Sequence, residues 1–174
     1  MQGLIIENKA NLYKIKLGDI NYIATARGKF KNDSFTPVVG DIAEFSIVDE
    51  NKKTAVIESV KERVSYIKRP KLANINQIVF VVSSKHPKPD LLLLDKQLAF
   101  AEFLHIKPVI VLNKIDLDDK HEFLNIQKIY EEIGYKVIQT DAKNGIGVEE
   151  ILLELKNNIS AFAGNSGVGK STLI

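Results

Sequence analysis

The segment Gly164–Ser171, with the sequence GNSGVGKS, constrains the fold of this chain more than any other part of its 174 residues. It fits the pattern G-x-x-x-x-G-K-[ST] at every fixed position. Such a loop connects a buried strand to a helix, and the apolar run ISAFA directly before it supplies the strand. The segment therefore predicts an α/β domain that contains a phosphate-binding loop (P-loop).

Each fixed residue type of this loop contributes to holding phosphate. Glycines let backbone N–H groups approach phosphate oxygens with no Cβ in the way. Lys170 brings a positive charge toward the β- and γ-phosphates, and Ser171 offers a hydroxyl to Mg²⁺. We therefore predict Lys170 as a catalytic residue and Ser171 as a magnesium ligand. The predicted nucleotide-binding residues of this segment are Gly164, Asn165, Ser166, Gly167, Val168, Gly169, Lys170, Ser171 and Thr172.

A second motif, NKID at residues 113–116, directly follows the apolar run PVIVL. An aspartate can accept hydrogen bonds from guanine N1–H and the exocyclic amine, and it rejects a base without those donors because the carboxylate is left unpaired. This assigns base selection to Asp116, with Asn113 at the other edge of the base and the stem of Lys114 over the ring. A strand end followed by an acidic helix cap is the alternative. The later loop TDAKNG predicts further base contacts from Asp141, Ala142 and Lys143.

The hydrophobic period changes near residue 67. Before it, about five short alternating runs separated by turn residues predict a small closed barrel, OB-type in the first instance and SH3-like as the alternative. From residue 76, strands alternate with helices, as in a parallel α/β domain. Pro70 marks the junction. We therefore predict an all-β barrel over 1–67, a linker over 68–75 and an α/β domain over 76–174.

Three helices are predicted in the second domain, the first with Asp90 as its N-cap, the second over about 120–133 and the third over 148–156. Their expected buried positions follow the helical period. They are Leu91, Leu94, Leu98, Ala101 and Leu104 in the first helix, Ile126, Ile129, Tyr130 and Ile133 in the second, and Ile151, Leu152 and Leu155 in the third.

Positive charge is concentrated in the first part of the chain. Residues 1–71 carry 13 Lys and Arg against 9 Asp and Glu, whereas residues 72–174 carry 11 against 13. This asymmetry favours a nucleic-acid-facing barrel, with a merely solvated basic face as the alternative. The predicted RNA-contacting residues are Arg27, Lys29 and Lys31, and the aromatic residues among the cations either stack on bases or fill the core: Tyr13, Tyr22, Phe30 and Phe35. The sequence has no cysteine and no membrane-length apolar run.

The order of the two nucleotide motifs is unusual, because the base reader precedes the P-loop. A conventional GTP-binding domain has them the other way round. A short link between its last helix and its first strand, with new termini elsewhere, gives the same fold in a permuted order. Asn157-Asn158 is predicted to be that link.

Taken together, the segments ARGKF, TPVVGD, KRPKLANINQ, LDKQL, VLNKIDL and GNSGVGKSTLI resemble the circularly permuted, ribosome small-subunit-dependent GTPase A family, also called RsgA or YjeQ-type. The resemblance implies an OB barrel that contacts ribosomal RNA and a cytoplasmic GTPase acting late in maturation of the small ribosomal subunit. It implies GTP or GDP and Mg²⁺ as cofactors, the small subunit and its rRNA as partners, and a C-terminal zinc-binding domain.

The sequence departs from this family pattern in that residues 1–174 contain neither a D-x-x-G motif nor a cysteine. We therefore expect a fragment of a longer protein, with an incomplete GTPase domain that does not hydrolyse GTP alone and with zinc bound only beyond residue 174. A monomer without membrane attachment is expected. The alternative functions are a non-catalytic RNA-binding module and a P-loop ATPase or kinase with a fortuitous NKID.

Overall fold

A computed structural model of the chain describes residues 1–28 and 36–174, and these residues form two compact units. The first unit is Met1–Asn74 and the second is Ile75–Ile174. Each unit has its own hydrophobic core. Within the described residues, no helix is both long and apolar enough to cross a bilayer.

The described residues of the first unit form a closed barrel of five strands. The strands are β1 (Gln2–Lys9), β2 (Leu12–Leu17), β3 (Ile20–Ala26), β4 (Ile42–Asp49) and β5 (Thr54–Val60). Their order around the barrel is β1-β2-β3-β5-β4, in which β3 and β5 are parallel and the other pairs antiparallel. The prediction of an OB-type barrel is confirmed.

Alternation of side chains along the strands fills the barrel. On β2, Tyr13 and Ile15 are buried while Lys14 and Lys16 lie on the outer face. Tyr22 packs against Phe45 with ring centroids 5.5 Å apart. Of the two roles open to the barrel tyrosines, Tyr13 and Tyr22 therefore take the core role and do not form a surface for stacking bases.

A β-hairpin follows the barrel, formed by β6 (Tyr66–Lys68) and β7 (Lys71–Ala73). Most of the region predicted as a linker, residues 68–75, lies in this hairpin, and the first unit extends to Asn74. Gly40 allows β7 to approach closely, since a Cβ there would lie 1.9 Å from the carbonyl oxygen of Ala73. The Asn74 side chain donates to the carbonyl of Gly40 at 2.8 Å, so the hairpin is fixed to the barrel.

A buried ion pair stabilises the same corner. Asp41 is fully buried, and its two carboxylate oxygens accept hydrogen bonds from the Arg63 guanidinium at 2.7 Å each. The backbone N–H of Val38 donates to the same carboxylate at 2.7 Å. Hydrogen bonding to Asp41 raises the pKa of Arg63, so the guanidinium keeps its positive charge beside the carboxylate. The TPVVGD segment is thus organised around Asp41.

The second unit is a parallel four-stranded sheet with the order β10-β9-β8-β11. All seven residues of β8 are buried, as expected for a central parallel strand. The elements in chain order are β8 (Gln77–Ser83), α1 (Leu91–Phe103), β9 (Lys107–Asn113), a 3₁₀ turn (Ile115–Leu117), α2 (Glu122–Ile133), β10 (Lys136–Thr140), α3 (Val148–Leu155), β11 (Ser160–Ala163) and α4 (Lys170–Leu173).

The first helix agrees with the sequence prediction more closely than the other two. The Asp90 carboxylate caps α1 by accepting from the N–H of Leu93 at 3.0 Å, and the helix buries Leu94, Leu98 and Ala101. In α2 the buried residues are Phe123, Ile126 and Tyr130. The predicted burial of three other side chains is wrong, since Ile129, Ile133 and Leu152 are 53%, 64% and 60% exposed.

Replacing Arg63 with leucine should destabilise the barrel by about 3 kcal/mol, because it leaves the Asp41 carboxylate buried without its counter-charge. Arg27→Leu is the matched control, since its 2.9 Å ion pair with Glu58 is largely exposed and should contribute less than about 1 kcal/mol. Hydrogen exchange of the barrel amides across a urea series measures the loss in free energy of unfolding for each variant. If Arg63→Leu and Arg27→Leu lost equal amounts of unfolding free energy, the Asp41–Arg63 pair would contribute no more to stability than a surface ion pair.

Candidate nucleotide-binding site

The carboxyl ends of the parallel strands bring distant segments of the second unit to one edge of the sheet. Asn113 at the end of β9 pairs in register with Ser83 of β8 and Thr140 of β10. On the other side of β8, Ala163 of β11 pairs with Phe80 and leads into the P-loop. The NKID motif and the P-loop therefore start from the same edge, whatever their order in the chain.

Asn113 connects three of these segments through one buried side chain, which is 2% exposed. Its Oδ1 accepts from the hydroxyl of Thr140 at 2.9 Å and from the backbone N–H of Ala142 at 3.2 Å. Its Nδ2 donates to the carbonyl of Val168, inside the P-loop, at 2.8 Å. A single amide thus ties the NKID segment to the P-loop and to the TDAKNG loop.

Two glycines of the P-loop are required by close packing. Gly169 has φ of +102°, and a Cβ there would lie 2.3 Å from Asn113 Nδ2. Gly164 has φ of +142°, and a Cβ there would lie 2.4 Å from the carbonyl oxygen of Val81. Both positions combine a left-handed backbone with a close approach, so they accept no side chain without a shift of the loop.

The Lys114 side chain contacts two other loops of the second unit. Its Nζ donates to the carbonyl of Gly167 in the P-loop and to the carbonyl of His86 in the β8–α1 loop, each at 2.6 Å. Its backbone lies in the left-handed region, with φ of +65°. The lysine is therefore a second link between the NKID motif and the P-loop.

Two aspartates that follow Lys114, Asp116 and Asp118, differ in exposure and in hydrogen bonding. Asp116 lies exposed in the 3₁₀ turn. Asp118 caps the start of α2, accepting from the N–H groups of Glu122 and Phe123 at 3.0 Å each. The acidic helix cap that the alternative interpretation expected is therefore Asp118, two residues after NKID. Asp116 takes no part in this cap, and its side chain is exposed.

Lys170 folds over the P-loop. Its Nζ donates to the carbonyls of Gly164 and Asn165 at 2.8 and 2.9 Å, so the ammonium lies at the loop it is predicted to serve. Ser171 and Thr172 are exposed at the start of α4. Val168 is buried, whereas Asn165, Ser166 and Gly167 form the exposed rim of the loop.

The loop after β10 is shaped by Asp141, which is 3% exposed. Its carboxylate accepts from the backbone N–H of Asn144 at 3.2 Å and from the Asn144 side-chain amide at 2.5 Å. Backbone bonds between Asp141 and Ile146 close the loop. The Asp141 side chain is thus directed into its own loop, while Lys143 is exposed.

The candidate RNA-contacting residues of the barrel are only partly described. Arg27 is exposed and pairs with Glu58 at 2.9 Å. Lys29 and Lys31, like Phe30 and Phe35, lie outside the described residues.

Two functional candidates were missed by the sequence prediction, Ser84 and His86. Both follow β8 and contact Lys114, the serine through its hydroxyl and the histidine through its carbonyl. The one available signal was the polar pair Ser83-Ser84 at the end of a buried strand, at the sheet edge that also carries NKID. In residues 1–28 and 36–174, no group of three or more His, Cys, Asp or Glu is placed to bind a metal ion.

A parallel sheet with a P-loop after one strand and an NKxD motif after another defines a P-loop domain of the GTPase class, here with its motifs in permuted order. Comparison with family models gives a match of residues 60–174 to the RsgA GTPase and of residues 2–57 to the RsgA N-terminal domain. The chain belongs to the RsgA GTPase family.

Two curated relatives match almost the whole chain. The small ribosomal subunit biogenesis GTPase RsgA of Caldanaerobacter subterraneus subsp. tengcongensis is 40% identical over 174 residues, covering 100% of this chain and 58% of the relative. The protein of the same name from Ruminiclostridium cellulolyticum is also 40% identical, covering 99% of this chain and 57% of the relative. This chain therefore spans less than two thirds of the length of these relatives.

Two crystallised proteins have the same fold. YjeQ from Thermotoga maritima is 34% identical with a TM-score of 0.85, and the match covers 99% of this chain and 63% of that one. YloQ, described as a circularly permuted GTPase, is 30% identical with a TM-score of 0.80, covering 98% and 62%. The predicted fold class, a barrel followed by a permuted GTPase domain, is confirmed by these matches.

Replacing Gly169 with alanine should detach the P-loop from Asn113, because the new methyl group would occupy the position of the Asn113 amide. We expect the amide and carbonyl resonances of Asn113 and Val168 to shift in NMR spectra of the chain. Gly134→Ala is the matched control, since Gly134 has a similar φ of +105° and a Cβ there would have no other atom within 4 Å. Equal effects of the two substitutions on the Asn113 side-chain resonance would show that backbone strain, not the contact, explains the glycine.

Proposed function

We propose that the second unit binds guanine nucleotide across the edge of its sheet, with Asp116 selecting the base and the P-loop holding the phosphates. The observation that carries the proposal is the Asn113 amide, which joins the base-reading motif to the carbonyl of Val168 at 2.8 Å. A base reader fixed to a phosphate loop at one sheet edge suits a ligand with a purine at one end and phosphates at the other. In this proposal Asn113, Lys114 and the loop Asp141–Lys143 surround the base.

The phosphate end is assigned to residues 164–172. The Lys170 ammonium donates to the P-loop carbonyls of Gly164 and Asn165. The phosphate oxygens of a bound polyphosphate would be stronger acceptors for this ammonium than those carbonyls. The exposed hydroxyl of Ser171 is a hard oxygen ligand, the type that Mg²⁺ prefers, so the residues fit that ion. When bound, Mg²⁺ would neutralise charge on the phosphates, while Lys170 stabilises charge on the transferring phosphoryl group.

For the whole protein we propose GTP hydrolysis in the late maturation of the small ribosomal subunit. The names of the relatives, which describe small ribosomal subunit biogenesis GTPases, support this proposal. The barrel would contact ribosomal RNA through Arg27, Lys29 and Lys31. A monomer in the cytoplasm is the state we propose, and zinc binding beyond residue 174 stays a prediction.

Asp116→Asn should change the base preference of the chain from guanine to xanthine nucleotides. The amide supplies an N–H donor where the carboxylate supplied an acceptor, and xanthine carries a carbonyl where guanine carries the exocyclic amine. Fluorescent GDP, XDP and ADP titrations of both proteins should show GDP weakened by at least about 100-fold and XDP strengthened.

Asp118→Asn is the control, because Asp118 caps α2 and should affect stability without changing the ratio of GDP to XDP affinity. Equal weakening of GDP and XDP in Asp116→Asn would contradict the role of Asp116. Preference of the unmodified chain for ADP would favour the ATPase or kinase alternative. Binding of RNA with no nucleotide binding would favour a non-catalytic RNA-binding module.

Charge reversal at Lys29 and Lys31 should weaken binding to the small ribosomal subunit and flatten its salt dependence. Each lost phosphate contact reduces the steepness of log K against log salt by about 0.7–0.9, so loss of two contacts should reduce it by about 1.4–1.8. Binding of the full-length protein to isolated subunits, measured over a salt series, tests this. Lys128→Glu on α2 is the control, and an unchanged slope in the barrel variant would remove this segment from the interface.

A further inference from the structure

The loop between β8 and α1 carries a side chain, that of Ser84, which hydrogen-bonds to the backbone of the NKID motif. The Ser84 hydroxyl donates to the backbone carbonyl of Lys114 at 2.6 Å, and the Ser84 N–H donates to the carbonyl of Asn113 at 3.2 Å. Ser84 is therefore bonded to two consecutive residues of NKID. None of the residues predicted from the sequence to contact nucleotide lies in this loop.

The backbone that Ser84 contacts needs support. Lys114 has φ of +65° and ψ of +43°, a left-handed conformation that is unfavourable for a residue with a side chain. A hydrogen bond to the carbonyl of Lys114 favours this conformation over the extended alternatives. Because the backbone sets the direction of the side chain, Ser84 also helps to determine where the lysine stem points.

The lysine stem then reaches the P-loop. Lys114 Nζ bonds to the carbonyl of His86, two residues after Ser84, and to the carbonyl of Gly167. A Cβ on Gly167 would be 3.8 Å from the His86 carbonyl oxygen and from Pro87, so the two loops are in contact there. One continuous path thus runs from the Ser84 hydroxyl through the backbone and side chain of Lys114 to Gly167.

We propose that Ser84 is a positioning residue of the nucleotide site, which holds Lys114 in the conformation that both covers the base and fixes the P-loop carbonyl of Gly167. This inference rests on the proposed guanine-nucleotide binding. Ser84 does not contact the nucleotide itself. It acts by orienting Lys114 before the ligand binds. Loss of the Ser84 hydroxyl should therefore weaken GDP binding only while the Lys114 side chain is present.

The first test is a double-mutant cycle on GDP affinity in the 174-residue chain. Ser84→Ala should raise the Kd for GDP about tenfold, because the carbonyl of Lys114 loses its donor, and Ser84→Thr, which keeps the hydroxyl, should restore most of the affinity. In a Lys114→Ala background, Ser84→Ala should add less than about a twofold loss. A tenfold loss in both backgrounds would overturn the proposal, since Ser84 would then act independently of Lys114.

The matched control is Ser160→Ala. Ser160 donates to Gln77 Oε1 at the same distance of 2.6 Å, but at the amino ends of β11 and β8, where the sheet edge is opposite to the site. Its removal should change the Kd for GDP by less than about twofold. A loss as large as that of Ser84→Ala would mean that any lost hydroxyl bond in this unit weakens binding, which contradicts a specific role for Ser84.

A second measurement needs no nucleotide. In NMR spectra of the free chain, Ser84→Ala should move the ¹³C carbonyl resonance of Gly167 toward its position in Lys114→Ala, while Ser160→Ala leaves it unchanged. An unmoved Gly167 resonance in Ser84→Ala overturns the proposal even if nucleotide binds. If the resonance moves but the unmodified chain binds no GDP, the positioning role stands and the proposed function fails.

Discussion

The candidate nucleotide site depends on one buried amide, the side chain of Asn113. Its two polar atoms satisfy partners on three separate segments, a hydroxyl on β10, an N–H in the following loop and a carbonyl in the P-loop. A buried polar group that loses its partner costs about 1–3 kcal/mol. Because each partner would be left unpaired without the amide, the positions of the NKID segment and of the P-loop are coupled through Asn113.

Much of this architecture could be predicted from the sequence because its signals are local. The continuous apolar run of β8 predicts a strand buried on both faces, and Asp90 marks the start of α1. The P-loop and NKID have fixed spacings, and the parallel sheet places both at one edge. The alternation along β2 likewise predicted a barrel strand with Tyr13 and Ile15 on one face, and the structure shows that this face is the buried one.

What the sequence could not predict depends on tertiary contacts. Ile129 and Leu152 have the hydrophobicity of core residues, but the buried stripes of their helices are centred on Ile126 and Ile151. The β6–β7 hairpin is fixed by the close approach at Gly40, which no local pattern predicts. Ser84 contacts a backbone carbonyl, an acceptor that every residue carries, so the only sequence signal for it is its place in the polar pair at the end of β8.

The strand order has a consequence for biosynthesis. β8, β9 and β10 neighbour one another both in the chain and in the sheet, whereas β11 pairs with β8 across more than eighty intervening positions, as in Phe162 with Val79. As the polypeptide leaves the ribosome, the half that carries NKID is complete while the half that carries the P-loop sequence is still unmade. Until that half emerges, Asn113 Nδ2 lacks the Val168 carbonyl, so the nascent domain acquires its ligand-ready geometry in a late step.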